Sequence, residues 1–331
     1  MRVTLPWILL LALRGGVALV IRPAPPRVVA IGDIHGDFAA LSQTLKTAGL
    51  VDDSGSWAGE DSVLVQLGDV LDRGPDEVRC WSMLRRLMLE APAQGGRVVC
   101  LLGNHEIMNV CGQAGPFIHA SAHKAFGPDR LEAFMPGGAL AAELADCYVA
   151  AIVGDSVFVH AHLPADVTVK QLTSINAATR QWLLGEACPD HGSQAAMPFV
   201  LSHMYGGEDS PIWGRTLSSP SDTEVPAGRC DSLRRSLQRL QVKRLVIGHT
   251  PQRSINPACG GLVWRCDTGM SSYVAAGQCE ALELSSDGGV RVLRDQGAAT
   301  HAGDARARAA PRIAAAAAAA ADGTDSFYDI F

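Results

Sequence analysis

Residues 27–37 read Arg27-Val28-Val29-Ala30-Ile31-Gly32-Asp33-Ile34-His35-Gly36-Asp37, an apolar run that ends in two acids and a histidine. A turn would account for the glycines and aspartates, because glycine allows positive φ and aspartate bonds nearby backbone. It does not account for the histidine, and the pattern recurs. Ser62-Val63-Leu64-Val65-Gln66-Leu67 runs into Gly68-Asp69-Val70-Leu71-Asp72-Arg73-Gly74, and Arg97-Val98-Val99-Cys100-Leu101-Leu102 runs into Gly103-Asn104-His105-Glu106. Ser156-Val157-Phe158-Val159 delivers His160-Ala161-His162, and Arg244-Leu245-Val246-Ile247 delivers Gly248-His249-Thr250-Pro251. Short Val/Ile/Leu runs bounded by glycine are strands buried on both faces. In α/β proteins the ends of such strands are where ligands collect.

The segments between the runs fit that layout. Phe38, Leu41, Leu45 and Ala48 fall on one helical face, as do Val78, Trp81, Leu84, Leu87 and Met88, and then Leu233, Leu237 and Leu240. Later stretches, Gly261-Leu262-Val263-Trp264-Arg265-Cys266 and Ala281-Leu282-Glu283-Leu284, read as strands joined by turns and predict a second sheet. The expected fold class is therefore α/β, a two-sheet sandwich flanked by helices.

A chain of 331 residues with 47% hydrophobic content can build one large core domain, placed at residues 27–295. A net charge of −6 with no long Lys/Arg run argues against a nucleic-acid partner. Residues 1–26 have the order of a signal or targeting segment: an early arginine, an apolar stretch, small residues at Gly15-Gly16-Val17-Ala18, then prolines. Arg14 interrupts the apolar stretch, so no stable membrane span is expected, and the predicted location is the secretory pathway, the periplasm or an organelle. Residues 296–331, rich in alanine, form a low-complexity tail outside the domain. Nine scattered cysteines lack CxxC spacing and suggest small buried apolar residues rather than a disulfide framework; a zinc held by Cys188 and His191 lacks a second ligand pair.

Converging Asp33, His35, Asp69, Asn104, His160 and His249 offer oxygen and imidazole ligands without thiolate, a set that suits Mn²⁺ first, with Fe and Zn²⁺ as alternatives. Six ligands exceed what one cation with open positions needs, whereas two divalent metal ions sharing a carboxylate use them all. Asp69 is the natural bridge. Asp33 and His35, two apart in an extended segment, would grip one ion from the same side, leaving Asn104, His160 and His249 for the other.

GDIHGD, GDVLDRG, GNHE, VHAHLP and GHTP together resemble the motif set of metallophosphoesterases of the phosphoprotein phosphatase type. Within that set the chain resembles the Shewanella-like protein phosphatases, also through NAATRQWL, SPIWGR and DTGMS, over roughly residues 27–295. The resemblance implies a calcineurin-like metallophosphoesterase fold and phosphomonoester hydrolysis by a metal-bridging hydroxide, with a phosphoprotein as substrate. It implies Asp33, His35 and Asp69 on one ion, and Asp69, Asn104, His160 and His249 on the other. His105 becomes the general acid, oriented by Asp72, while Arg73 and Arg215 grip phosphate oxygens. One departure stands out: Ala161-His162 replaces the two glycines that the family has after its ligand histidine, so His162 either competes with His160 or lines the pocket. Residues 184–230 are expected to form a substrate-selecting lid. Two rival readings are a dinucleoside tetraphosphate hydrolase and a phosphoprotein-binding protein without activity.

Overall fold

All five apolar runs are strands in the computed structural model, which describes residues 19–123, 126, 129–186 and 207–295. Along the chain, β2 (Arg27–Ile31), α1 (Phe38–Thr47), β3 (Val63–Gln66), α2 (Glu77–Glu90) and β4 (Arg97–Cys100) form a parallel β-α-β-α-β run. After α3 (Asn104–Val110), α4 (Arg130–Phe134) and α5 (Ala139–Leu144), the hairpin β5 (Ala150–Val153) and β6 (Ser156–Val159) leads to α6 (Val169–Leu183). Helix α7 (Ala227–Leu240) then precedes β7 (Arg244–Ile247), β8 (Asn256–Ala258), β9 (Val263–Arg265), β10 (Glu280–Ser285) and β11 (Val290–Arg294).

The strands divide between two sheets. One has the order β11-β10-β2-β3-β4, and the other, which includes an N-terminal strand β1 (Leu19–Ile21), has the order β1-β5-β6-β7-β9-β8. The late strands do not make a sheet of their own, as their turn-like connections had suggested. Instead, β9 extends the second sheet parallel to β7, while β10 adds to β2 antiparallel in the first. Alternate residues explain why the runs are apolar at successive positions. Val28, Ala30, Val63 and Val65 pack with Phe158 and Val246 between the sheets, while Val29, Ile31 and Leu64 face the helix-covered side with Leu41, Leu45 and Leu84. Burying both faces stabilises each such side chain by about 1.5–3 kcal/mol relative to exposure.

Two expectations need correction. Leu19–Ile21, inside the segment read as targeting sequence, pairs in parallel with Ala151, Ile152 and Val153, so the folded sheet begins upstream of residue 27. Second, Cys230 in α7 is disulfide-bonded to Cys259 after β8, whereas Cys80, Cys100, Cys147 and Cys266 are the small buried residues expected. Spacing alone gives no signal for a bridge between partners 29 residues apart. The tail 296–331, Cys188 and His191, and residues 187–206 of the proposed lid lie outside the described residues. Among the described residues no helix is long and apolar enough to cross a membrane.

Candidate functional site

The carboxyl ends of β2, β3, β4, β6 and β7 converge, which brings the loops after them together. Backbone bonds stitch the first two: Asp69 O accepts from Ile34 N at 3.0 Å and His35 N at 2.9 Å, and Gly36 N donates to Val70 O at 2.9 Å. Gly248 N donates to His160 O at 2.7 Å, joining the β7 loop to the end of β6. Gly68, at φ 99°, admits the approach of the third loop, since a Cβ there would lie 2.6 Å from Gly103 N and 2.9 Å from the His160 ring.

Glu106 clamps these loops from beneath. Its Oε2 accepts from Asp69 N and Gly103 N, both at 2.8 Å, and its Oε1 accepts from Val70 N at 2.9 Å and Leu71 N at 3.2 Å. One buried carboxylate thus satisfies four amides that carry the β3 and β4 loops. Its place in GNHE was visible in the sequence; its four partners were not. Glu106→Gln should weaken Mn²⁺ binding by about 10–100-fold, the usual effect of disturbing a group that orients metal ligands, because the new NH₂ must face N–H donors. Calorimetric titration reads this directly, and unchanged affinity would remove Glu106 from the site.

Asp33, His35, Asp69, Asn104, His160 and His249 are all buried and meet at this junction. His160 Nδ1 donates to Leu67 O at 2.8 Å, so its Nε2 is turned to Asn104 Oδ1 at 3.0 Å, Asp69 Oδ2 at 3.4 Å and His249 Nδ1 at 3.1 Å. His35 repeats the device. Its Nδ1 donates to Leu71 O at 3.1 Å, which turns Nε2 toward Asp69 Oδ2 at 3.7 Å and Asp33 Oδ2 at 4.0 Å. Acceptor atoms gathered around such ring nitrogens require positive charge between them, carried by a proton or by a metal ion. His249 Nε2 is buried without a hydrogen-bond partner among the described residues. Ligand atoms of His35, Asp69 and His105, and those of Asp69, His160 and His249, lie within 4.8 Å of one another, so these buried oxygen and imidazole donors fit divalent metal.

Protonation follows the same demand. Burial opposes a charge on His160, yet Asp69 and Asp33 raise it to about 10. Burial likewise pushes Asp69 up, but His160, His105 and His35 outweigh it and hold the carboxyl well below its usual range. Burial, with Asp267 and Asp69 nearby, drives Asp33 upward. Burial and the neighbouring cations lower both His35 and His249. Asp267, in the DTGMS segment, belongs to this charge cluster; burial raises it to about 6.

The expected extended geometry of Asp33 and His35 is not what aims them. His35 lies in the left-handed region at φ 48°, as do Asp69 at 54°, Asp72 at 64°, Arg73 at 66° and His249 at 69°. Each costs about 1–2 kcal/mol for a residue with a Cβ, and such strain gathers where side chains must point at a common target. Aspartate and histidine enter that region more often than most residues but far less freely than glycine, so residue type gives only a weak signal.

Asp72 is fully buried and accepts from His105 Nδ1 at 2.7 Å. His105 packs edge-on against His35 and Phe117, with ring centroids 4.7 and 5.3 Å away. A ring nitrogen of His105 also lies within 4.8 Å of ligand atoms of His35 and Asp69. Arg73 N donates to Phe117 O at 2.8 Å, and its guanidinium stands 5.5 Å over the Phe117 ring. Its Nε is buried without a protein partner among the described residues, a donor left for an anion. Arg215 Nη1 donates to His249 O at 3.2 Å and Thr250 Oγ1 at 3.0 Å, within the field of Asp33, Asp69 and Asp267. His162 is engaged elsewhere: its Nδ1 pairs with Thr216 Oγ1 at 3.2 Å and its Nε2 faces Asp209 at 3.6 Å.

A family model described as calcineurin-like phosphoesterase matches residues 26–253. Shewanella-like protein phosphatase 2 of Arabidopsis thaliana is 33% identical, the match spanning 81% of this chain and 78% of that protein. Shewanella-like protein phosphatase 1 of Plasmodium berghei is 29% identical over 76% of this chain and 69% of its own length. A crystal structure of a cold-active protein-tyrosine phosphatase from a psychrophilic Shewanella aligns with a TM-score of 0.64 and 22% identity, covering 85% of this chain and 83% of that one, which supports the fold. With its fold, its converged ligands and these relatives, the chain belongs to the calcineurin-like phosphoesterases and, among them, to the Shewanella-like protein phosphatases, and it is a metal-dependent phosphatase.

Proposed function

We propose that this phosphatase removes phosphate from phosphorylated protein side chains, with Asp33, His35 and Asp69 holding one divalent ion and Asp69, Asn104, His160 and His249 the other. The observation that carries the reading is the pair of histidine Nε2 atoms turned toward acceptors by backbone carbonyls. Oxygen and imidazole donors favour Mn²⁺ in this proposal, with Fe and Zn²⁺ as alternatives. Bound there, such ions supply Lewis-acid charge to phosphoryl oxygens and make water a stronger nucleophile. The chain's own groups do the rest. Arg73 and Arg215 hold non-bridging phosphate oxygens, and planar guanidinium groups suit that contact better than lysine would. His105 gives a proton to the departing side-chain oxygen while Asp72 keeps its ring in place through Nδ1.

Purified full-length protein with Mn²⁺ should release phosphate from phosphopeptides much faster than it splits a dinucleoside tetraphosphate. The reverse preference would transfer the site to nucleotide substrates, and turnover of neither would favour a binding role. Targeting to the secretory pathway, the periplasm or an organelle is also proposed. The Cys230–Cys259 bridge supports it, because disulfides persist in oxidising compartments. The small-residue region ending at Ala18 leaves β1 intact if removal occurs there. Microscopy of a C-terminally tagged chain tests it, and a diffuse cytosolic signal would overturn it.

A further inference from the structure

Behind Asp72, on the side away from the metal ligands, lies a buried group that no motif contains. Arg130, in α4, is only 7% exposed. Its guanidinium bonds Glu77 through both terminal nitrogens, the contact from Nη2 to Oε2 being 3.2 Å. It also bonds Asn109 Oδ1 from Nη2 at 2.7 Å and from Nε at 3.2 Å, and lies 3.4 Å from Asp72 Oδ1. Phe126 and Phe134 flank it, with ring centroids 5.2 and 5.0 Å away. The two residues it grips are themselves the supports of Asp72. Glu77 Oε2 accepts from Asp72 N at 3.1 Å, pinning a backbone at φ 64°. Asn109 Nδ2 donates to both Asp72 oxygens at 3.1 Å and to His105 O at 3.0 Å.

Without this cation Asp72 would lose its support. Glu77 and Asp72 are both fully buried acids, and the described contacts around them include one permanent positive charge, Arg130. Burial of unpaired carboxylates is costly, so its loss would force one of them to turn, protonate or admit water. Asn109 would also lose the partner that fixes which end of its amide faces Asp72. Either change tilts the carboxylate that holds the His105 ring.

We propose that Arg130 is a positioning residue for phosphate-ester hydrolysis: together with Glu77 and Asn109 it locks the Asp72 carboxylate, so that His105 presents its free ring nitrogen to the leaving oxygen. This rests on the assignment of His105 as the proton donor. A purely structural role, tying α4 to α2, predicts a different outcome. Positioning acts only through His105, so its loss shows where the leaving group needs a proton.

The test uses the full chain with Mn²⁺ and the variants Arg130→Met and Arg130→Lys. Each is assayed on a phosphoserine peptide and on para-nitrophenyl phosphate, whose aryl oxide leaves without a proton, and bound metal is measured by elemental analysis. Arg130→Met should lose about 10–100-fold in kcat on the peptide, the range for groups that orient a functional side chain, with KM little changed and two metals retained. The loss on the activated ester should be several-fold smaller, and the peptide loss should nearly disappear in a His105→Asn background. Arg130→Lys keeps the charge but not the fork, so it should show the same substrate dependence at smaller size. It decides the matter if the methionine variant does not fold. Equal losses on both esters, or losses that persist without His105, would overturn the proposal and leave the phosphatase reading intact. A wild-type chain inactive on both esters would instead overturn the reading beneath it.

Discussion

Asp69→Asn is expected to lower phosphopeptide turnover by more than about 100-fold, beyond the usual cost of disturbing a group one step removed from a metal. Bound metal should fall below two per chain in the same sample. Asp69 is the one ligand assigned to both ions. Its carboxyl is held well below its normal range by His160, His105 and His35 despite burial, so it is the anion around which the cluster is organised. Two divalent ions sharing a ligand repel one another, and a carboxamide of the same shape removes the charge that offsets this. The fold should survive the change. Asparagine Oδ1 can still accept from His105 N, at 2.9 Å in the wild type, and the backbone of the loop is held independently by Glu106. Elemental analysis and kcat on a phosphoserine peptide read the two consequences separately. Two ions per chain with reduced turnover would end the bridging assignment, and full turnover would end the assignment of Asp69 to the site.

The sequence made the strands, and the polar residues that meet at their ends, legible for a simple reason. A strand buried on both faces has no polar positions to blur it, so Val28 to Ile31 and its four counterparts stand out, and whatever polar residue follows each run must sit at the sheet's edge. Less was visible wherever function depends on backbone geometry or on partners distant in sequence. Left-handed Asp72 and Arg73 look like ordinary loop residues, and Glu106 looks like a surface acid until four amides are found around it. Arg130 follows a stretch without periodicity, and its bonds to Glu77 and Asn109 emerge only once α4 is packed beside α2 and α3. Leu19–Ile21 was not legible as a strand because its pairing partner, Ala151–Val153, lies far away in sequence.

His105→Asn should lose on the order of 10²–10⁴-fold in rate on phosphoserine peptides, the range for removing a general acid, and much less on para-nitrophenyl phosphate. The difference comes from the leaving group. A serine alkoxide is a poor one and needs a proton as the bond to phosphorus breaks, whereas the nitrophenolate is stable unaided. The geometry suits His105 to proton donation, since its backbone lies beside Asn104 and donates to Asp69, while its ring is turned by Asp72, 2.7 Å from Nδ1. Asp72→Asn should show the same substrate dependence more weakly, because the imidazole remains but loses the carboxylate that orients it through Nδ1. In the His105→Asn background the Asp72 change should have almost no further effect, since residues acting as a unit are not additive. Metal content decides the remaining ambiguity, because a ring nitrogen of His105 also lies near His35 and Asp69 and would be a ligand in a different arrangement. If His105→Asn lost an ion, or slowed both esters equally, the histidine would be holding metal or phosphate, and the proton would have to reach the leaving oxygen from another group.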